Sequence, residues 1–309
     1  MPRKVVLDMD PGVDDAVALC LALAEPKLEV LAVTATGGNV GPERATRNVQ
    51  AIVEQLDPPR LPRIGCAAPN QALRADARHI YGADGFCGAE FPVAEMVNRR
   101  PSVKVMGDEV RASPGEVTII ATGPLTNIAS LLQADPDIAT QIGHLIILGG
   151  ADRVNGNITA AAEFNFFCDP DAAQAVMRSR VTKTMIPIDI TQQLVFGYDF
   201  LERFRHSASR TGRLLEQLLP GAYRAHRQRL GLEGIYLHDV VAVVAAIHPE
   251  LFTTERLHGD VETTGELTAG ATIFDRRANP ENPPNVDLAI EFDAASATDC
   301  VLRGLDAAG

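Results

Sequence analysis

The chain has 309 residues, 46% of them hydrophobic and 22% charged, enough for one sizeable core, and a single domain over residues 1–309 is expected. Its net charge of −12 argues against a nucleic-acid polymer as partner, since that needs a basic footprint, but leaves a neutral small molecule open. The five cysteines are odd in number and lack metal spacing, which disfavours a disulfide framework or a zinc site. No apolar run reaches the ~18 residues of a membrane span. The opening MPRKVVLD meets aspartate too early for the apolar core of a secretory signal, so a cytoplasmic protein free of membrane is expected.

Residues 5–7 read as a buried strand, Pro11 and Gly12 as a turn, and residues 13–23, apolar at helical spacing, as a helix. This order sets Asp8 and Asp10 at a strand's carboxyl end and Asp14 and Asp15 at a helix amino terminus, the edge where open α/β sheets bind ligands. Two carboxylates ~4 Å apart repel by about 4 kcal/mol at an effective dielectric near 20. The helix dipole offers only about half a charge in return. A divalent cation or raised pKa values must therefore offset the cluster, and all-oxygen ligands favour calcium or magnesium over zinc. The blander alternative is that Asp14 and Asp15 only cap the helix. An EF-hand is excluded by the missing acid at its twelfth position, and a phosphate-binding loop by the missing lysine after the glycine.

Residues 28–36 form a β-branched strand followed by Gly37, Gly38 and Asn39, and residues 42–56 a second helix with proline in its first turn. Residues 66–93 are too polar and glycine-rich for a core element and read as a mobile loop near the site. Residues 116–121 form a third strand, and Thr122, Gly123 and Pro124 a turn into the helix 125–133 that leaves a backbone carbonyl free. Residues 144–150 are another strand.

Asn157, Glu163 and Asn165 follow in non-helical chain, ahead of a helix starting near Pro170. Mixed carboxylate and amide groups of this kind suit sugar hydroxyls, which both donate and accept. Residues 183–190 add a strand, with Asp189 assigned to structure. Residues 199–230, rich in arginine, read as a solvated helical pair broken at Pro220 and Gly221; His238 and Asp239 then open an apolar helix. Hairpins over 254–274, a strand over 286–292 and a helix over 294–305 complete an open, mostly parallel Rossmann-like sheet with helices on both faces.

The segments DMDPGVDDAVAL, TGGN, ATGPLTNIA, AEFN and LHD, in this order, resemble the nucleoside hydrolases, the family that includes the inosine-uridine-preferring enzymes, over essentially the whole chain. The resemblance implies the nucleoside hydrolase fold and calcium-dependent hydrolysis of the N-glycosidic bond of ribonucleosides to ribose and free base. It implies a calcium ion held by Asp10, Asp15, Asp239 and the main-chain oxygen of Thr122. Asp10 would activate water and His238 would act as general acid. Asp14, Asn39, Asn157, Glu163, Asn165 and Asp239 would contact substrate, in a homodimer or homotetramer. Tyr81 stands where many relatives carry histidine; it can stack on a base and donate a hydrogen bond, but it is a poor cationic acid, its ordinary pKa being near 10. Two rivals are a nucleoside- or ribose-binding protein without turnover and a metal-dependent phosphohydrolase. The latter would want basic residues that the site segments lack.

Overall fold

A computed structural model describes residues 1–308. Eleven strands run in chain order: β1 (Arg3–Met9), β2 (Leu28–Ala35), β3 (Arg63–Gly65), β4 (Thr118–Ala121), β5 (His144–Leu148), β6 (Lys183–Ile186), β7 (Val195–Phe196), β8 (Ile235–Tyr236), β9 (Phe252–Val261), β10 (Thr272–Asp275) and β11 (Val286–Phe292). Nine of them make one sheet in the order β10-β9-β11-β6-β5-β4-β1-β2-β3, and β7 pairs with β8 in a small separate ribbon. From β3 to β6, and on to β11, all pairings are parallel; β9 runs antiparallel to both β11 and β10. The order β3-β2-β1-β4-β5-β6 reverses direction between β1 and β4. Such a switch point opens a crevice at the strands' carboxyl ends.

The helices are α1 (Val13–Ala24), α2 (Pro42–Leu56), α3 (Arg78–Tyr81), α4 (Ser102–Ala112), α5 (Thr126–Ala134), α6 (Phe164–Cys168), α7 (Pro170–Arg178), α8 (Ile188–Thr191), α9 (Tyr198–Glu202), α10 (Arg210–Ala225), α11 (His238–Ile247) and α12 (Ala294–Ala307). They cover both faces of the sheet. One core joins α1, α2, α10, α11 and α12 to the sheet, and the other joins α4, α5 and α7. The two-residue period of β1 divides its side chains between them: Val5, Leu7 and Met9 enter the first core and Val6 the second. Asp8 shares the face of Val6, which aims its carboxyl at α5.

Several expected elements take other forms. Residues 183–190 are not one strand: β6 ends at Ile186 and α8 makes a single turn after Pro187. Asn165 lies inside a helix rather than in open chain, because Glu163 caps α6. The loop 66–93 contains the helical turn α3 and buries Tyr81, Phe86 and Phe91. Pro220 does not break the chain; it sits inside α10, whose Leu214, Leu215, Leu218 and Leu219 are buried. That apolar stripe overrides the cost of an interior proline, so the segment is a core helix and not a solvated pair. Gly221 lets Cys87 pack against the helix, where an added Cβ would collide with the Cys87 Cβ.

Candidate active site

The four acids of the first turn are all buried at the sheet's carboxyl edge. Asp10, just past β1, lies between two glycines. Its Oδ2 accepts from the Asn39 backbone N–H at 2.6 Å, and the Asn39 side-chain amide donates to the Asp10 carbonyl at 3.1 Å. A Cβ on Gly123 would stand 2.6 Å from Asp10 Oδ1, and one on Gly38 would overlap Oδ2. Both turns therefore need glycine so that the backbone can close around this carboxylate.

Asp15 does cap its helix. One oxygen accepts from the Gly12 N–H at 2.9 Å and the other from the Thr122 hydroxyl at 2.8 Å. Capping leaves Asp14 unexplained, since its buried Oδ1 has no hydrogen-bond partner. Ligand atoms of Asp14, Asp15 and Asp239 all lie within 4.8 Å of one another, a grouping that could hold a metal ion. Burial raises the pKa of each, with neighbouring aspartates adding to it for Asp14 and Asp239: Asp14 to about 7, Asp15 to about 6, and Asp239 well above the carboxylate range. Burial also lifts Asp10 well above its ordinary value, with Asp15 and Asp14 contributing. Buried side by side, these carboxylates resist full ionisation unless positive charge is brought to them. An unpartnered buried oxygen beside two further carboxylates is the donor set a hard divalent cation takes.

The carbonyl of Thr122 is not free, contrary to expectation: the Asn165 amide donates to it at 2.7 Å. A carbonyl has a second lone pair, so ligation stays open. The same amide reaches the Leu148 carbonyl at 3.2 Å, which spends both of its N–H groups on backbone. Glu163 is likewise engaged. Its carboxylate accepts from the backbone N–H groups of Asn165, Phe166 and Gly150, while burial lifts its pKa to about 7. Asn157 accepts from the Phe164 N–H at 2.8 Å. Asp189 accepts from the backbone of Asp152 and Arg153, in keeping with a structural role.

These residues line a cavity of about 590 Å³. Asp10, Asp14, Asn39, Tyr81, Thr122, Asn157, Glu163, Asn165, His238 and Asp239 all face it, whereas Asp15 lies just behind. His238 shares a 2.7 Å hydrogen bond with the Thr191 hydroxyl and stacks on Tyr236 with ring centroids 5.2 Å apart. Burial, reinforced by His226, holds its pKa down at about 4. The ring is therefore neutral at physiological pH.

Three contributors, Asn127, Thr191 and His226, lie outside the residues expected at the site. Asp8 binds Thr34 at 2.6 Å and Asn127 at 2.8 Å, which anchors the strand behind the cluster; Asn127 was visible inside ATGPLTNIA. Thr191 and His226 reach the cavity from segments with no motif at all.

A model of the inosine-uridine preferring nucleoside hydrolase family matches residues 5–299. The chain is 35% identical over 308 residues to the pyrimidine-specific ribonucleoside hydrolase RihA of Salmonella paratyphi B, covering 99% of each. Among solved structures it resembles the plant nucleoside hydrolase PpNRh1, with TM-score 0.90, 32% identity and 99% of each chain covered. It also resembles a purine-preferring ribonucleoside hydrolase from Gardnerella vaginalis, with TM-score 0.91, 30% identity and the same coverage.

Proposed function

From the membership of this chain in the inosine-uridine preferring nucleoside hydrolase family, a family of ribonucleoside N-glycosyl hydrolases, we propose a calcium-dependent mechanism centred on Asp10. The observation that carries it is the burial of four carboxylates together, Asp10, Asp14, Asp15 and Asp239, at a cavity whose lining has no lysine or arginine to offset them, with Asp14 Oδ1 left unpartnered for the ribose. Asp15, Asp239, Asp10 and the Thr122 carbonyl would hold the cation. When bound, it supplies charge that keeps these carboxylates ionised and Lewis acidity that makes water easier to deprotonate.

Asp10 is the base that takes the proton from the attacking water. The glycines on either side fix its oxygens, so little orientational freedom is lost on the way to the transition state. Asp14, Asn39, Asn157, Glu163, Asn165 and Asp239 clasp the ribose. Glu163 and Asn165 are held rigid by their backbone hydrogen bonds and present the lone pairs that remain. Positive charge grows on the ribosyl ring as the bond to the base breaks, and the anionic aspartates around it stabilise that charge. His238, braced by Thr191 on the cavity wall and held neutral by burial, would serve the departing base. It assists by hydrogen bonding rather than as a standing cation. The cavity lining includes no lysine or arginine, which suits a neutral nucleoside better than a phosphate ester.

Residues 1–309 are read as one nucleoside hydrolase domain, supported by the match over 5–299. The test is a panel of uridine, cytidine, inosine and adenosine with chromatography of free base and ribose, before and after chelation and with calcium, magnesium or zinc restored. Calcium should restore turnover best. Full activity in protein shown by elemental analysis to hold no divalent ion would remove the cation from the mechanism.

A further inference from the structure

His226 follows α10 at the start of a π-helical turn (His226–Leu230) that carries it to the wall of the cavity. Short π segments inside helices recur at functional sites because they redirect one side chain. The ring is buried and sits 6.4 Å, centroid to centroid, from Tyr81 and 6.3 Å from Tyr236, tilted against both. Its Nδ1 lies 3.0 Å from the Ala222 carbonyl. A carbonyl can only accept, so Nδ1 must carry the proton. In a neutral ring Nε2 is then a bare lone pair. Burial holds the pKa of His226 below its ordinary value, which keeps the ring neutral. His238 differs, because its partner is a hydroxyl that can donate or accept, and its tautomer is left open. Neither Nε2 of His226 nor the hydroxyl of Tyr81 makes a hydrogen bond among the described residues. Tyr81 also faces the cavity, and burial with nearby aspartates keeps its hydroxyl protonated and able to donate.

We propose that His226 and Tyr81 read the edge of the nucleobase: His226 Nε2 accepts from a ring N–H, and the Tyr81 hydroxyl donates to the carbonyl beside it. Uracil and hypoxanthine present that N–H and carbonyl pair. Cytosine and adenine present a ring-nitrogen lone pair beside an amino group, and the lone pair would face that of His226 with neither able to bond. A tyrosine hydroxyl can turn and accept from an amino group, so Tyr81 tolerates both kinds of base and discrimination falls on His226. The inference rests on the reading of this cavity as the ribonucleoside site and names the residue that sets its base preference.

The test is kcat/KM for uridine, cytidine, inosine, adenosine and p-nitrophenyl riboside, whose leaving group lacks such an edge, in wild type, His226→Phe and Tyr81→Phe. One buried hydrogen bond gained or lost should favour uridine over cytidine, and inosine over adenosine, by about tenfold in wild type. His226→Phe keeps the aromatic packing and should bring both ratios close to one, lowering uridine relative to p-nitrophenyl riboside. Tyr81→Phe should lower uridine and cytidine together and leave their ratio in place. In wild type, uracil should inhibit p-nitrophenyl riboside hydrolysis at lower concentration than cytosine, a comparison that needs no variant to fold. Turnover of nucleosides without the wild-type preference, or a His226→Phe variant that lowers every substrate by one common factor, would overturn the inference and leave the hydrolase reading standing. No turnover of any of the five substrates would overturn both.

Discussion

Chelation of the native protein should leave a folded chain whose stability falls as pH rises, opposite to the behaviour expected with calcium present. The ligand atoms of Asp14, Asp15 and Asp239 lie within 4.8 Å of one another. At that separation two full negative charges repel by about 3–4 kcal/mol at an effective dielectric near 20. Burial first, and for Asp14 the charge of Asp15 next, raise the folded-state values to about 7 for Asp14 and about 6 for Asp15, from 3.8. The folded chain thus holds these protons more tightly than the unfolded chain. The stability this contributes is complete below the unfolded value near 4 and is lost as pH rises through 6 and 7. A bound cation removes the repulsion, and because protons compete with it, its own stabilisation grows with pH. Thermal melts from pH 5 to 8, with chelator alone and with excess calcium, should diverge by about 5–10 °C toward the alkaline end. Surface ion pairs such as Arg178 with Asp260 contribute to both curves and drop out of the difference. Curves that superimpose across the range would refute a cation in this cluster.

His238→Ala should slow inosine more than p-nitrophenyl riboside, whose leaving group needs no proton; an equal fall in kcat/KM for both would reduce the histidine to a packing role. Because burial keeps His238 near pKa 4, the pH profile of kcat/KM for uridine should show no loss between pH 6 and 8 from imidazolium deprotonation, and a limb that vanishes in His238→Ala would contradict this. Gly38→Ala should push the Asp10 carboxylate aside and lower kcat by ~10²-fold while the circular dichroism spectrum is retained. Unchanged kcat in that variant would mean that the position of Asp10 is not critical.

The part of this architecture that the sequence made legible is the part governed by local rules. The unit β1–turn–α1 was readable because apolar runs with a Pro-Gly break admit few other arrangements, and α2 was expected over the same residues, 42–56, that it occupies. Once β1 was placed, Asp10, Asp14 and Asp15 had to meet at one edge. What stayed hidden depends on distant chain. The three-residue β3 and the helix α4 carry too short or too mixed a pattern to stand out. Pro220 and Gly221 look like a break until α10 is seen with its leucines packed into the core. Glu163, conspicuous as a carboxylate among apolar residues, is satisfied by two N–H groups of the helix it caps and by a third, from Gly150, that only the turn after β5 brings to it. His226 gave no signal, because an arginine-rich segment with one histidine reads as a solvated surface until the π turn directs it inward.

In the proposed reaction Asp10 activates water for cleavage of the ribosyl–base bond in this cavity. Its most direct test is the Asp10→Asn variant, compared with wild type for ribose released from uridine and for calcium content and thermal stability. The change keeps the size of the side chain and its acceptor toward the Asn39 N–H, but removes the base. The expected result is a folded protein that still takes up calcium and releases ribose at least ~10²-fold more slowly. Release at a rate near that of wild type would contradict it.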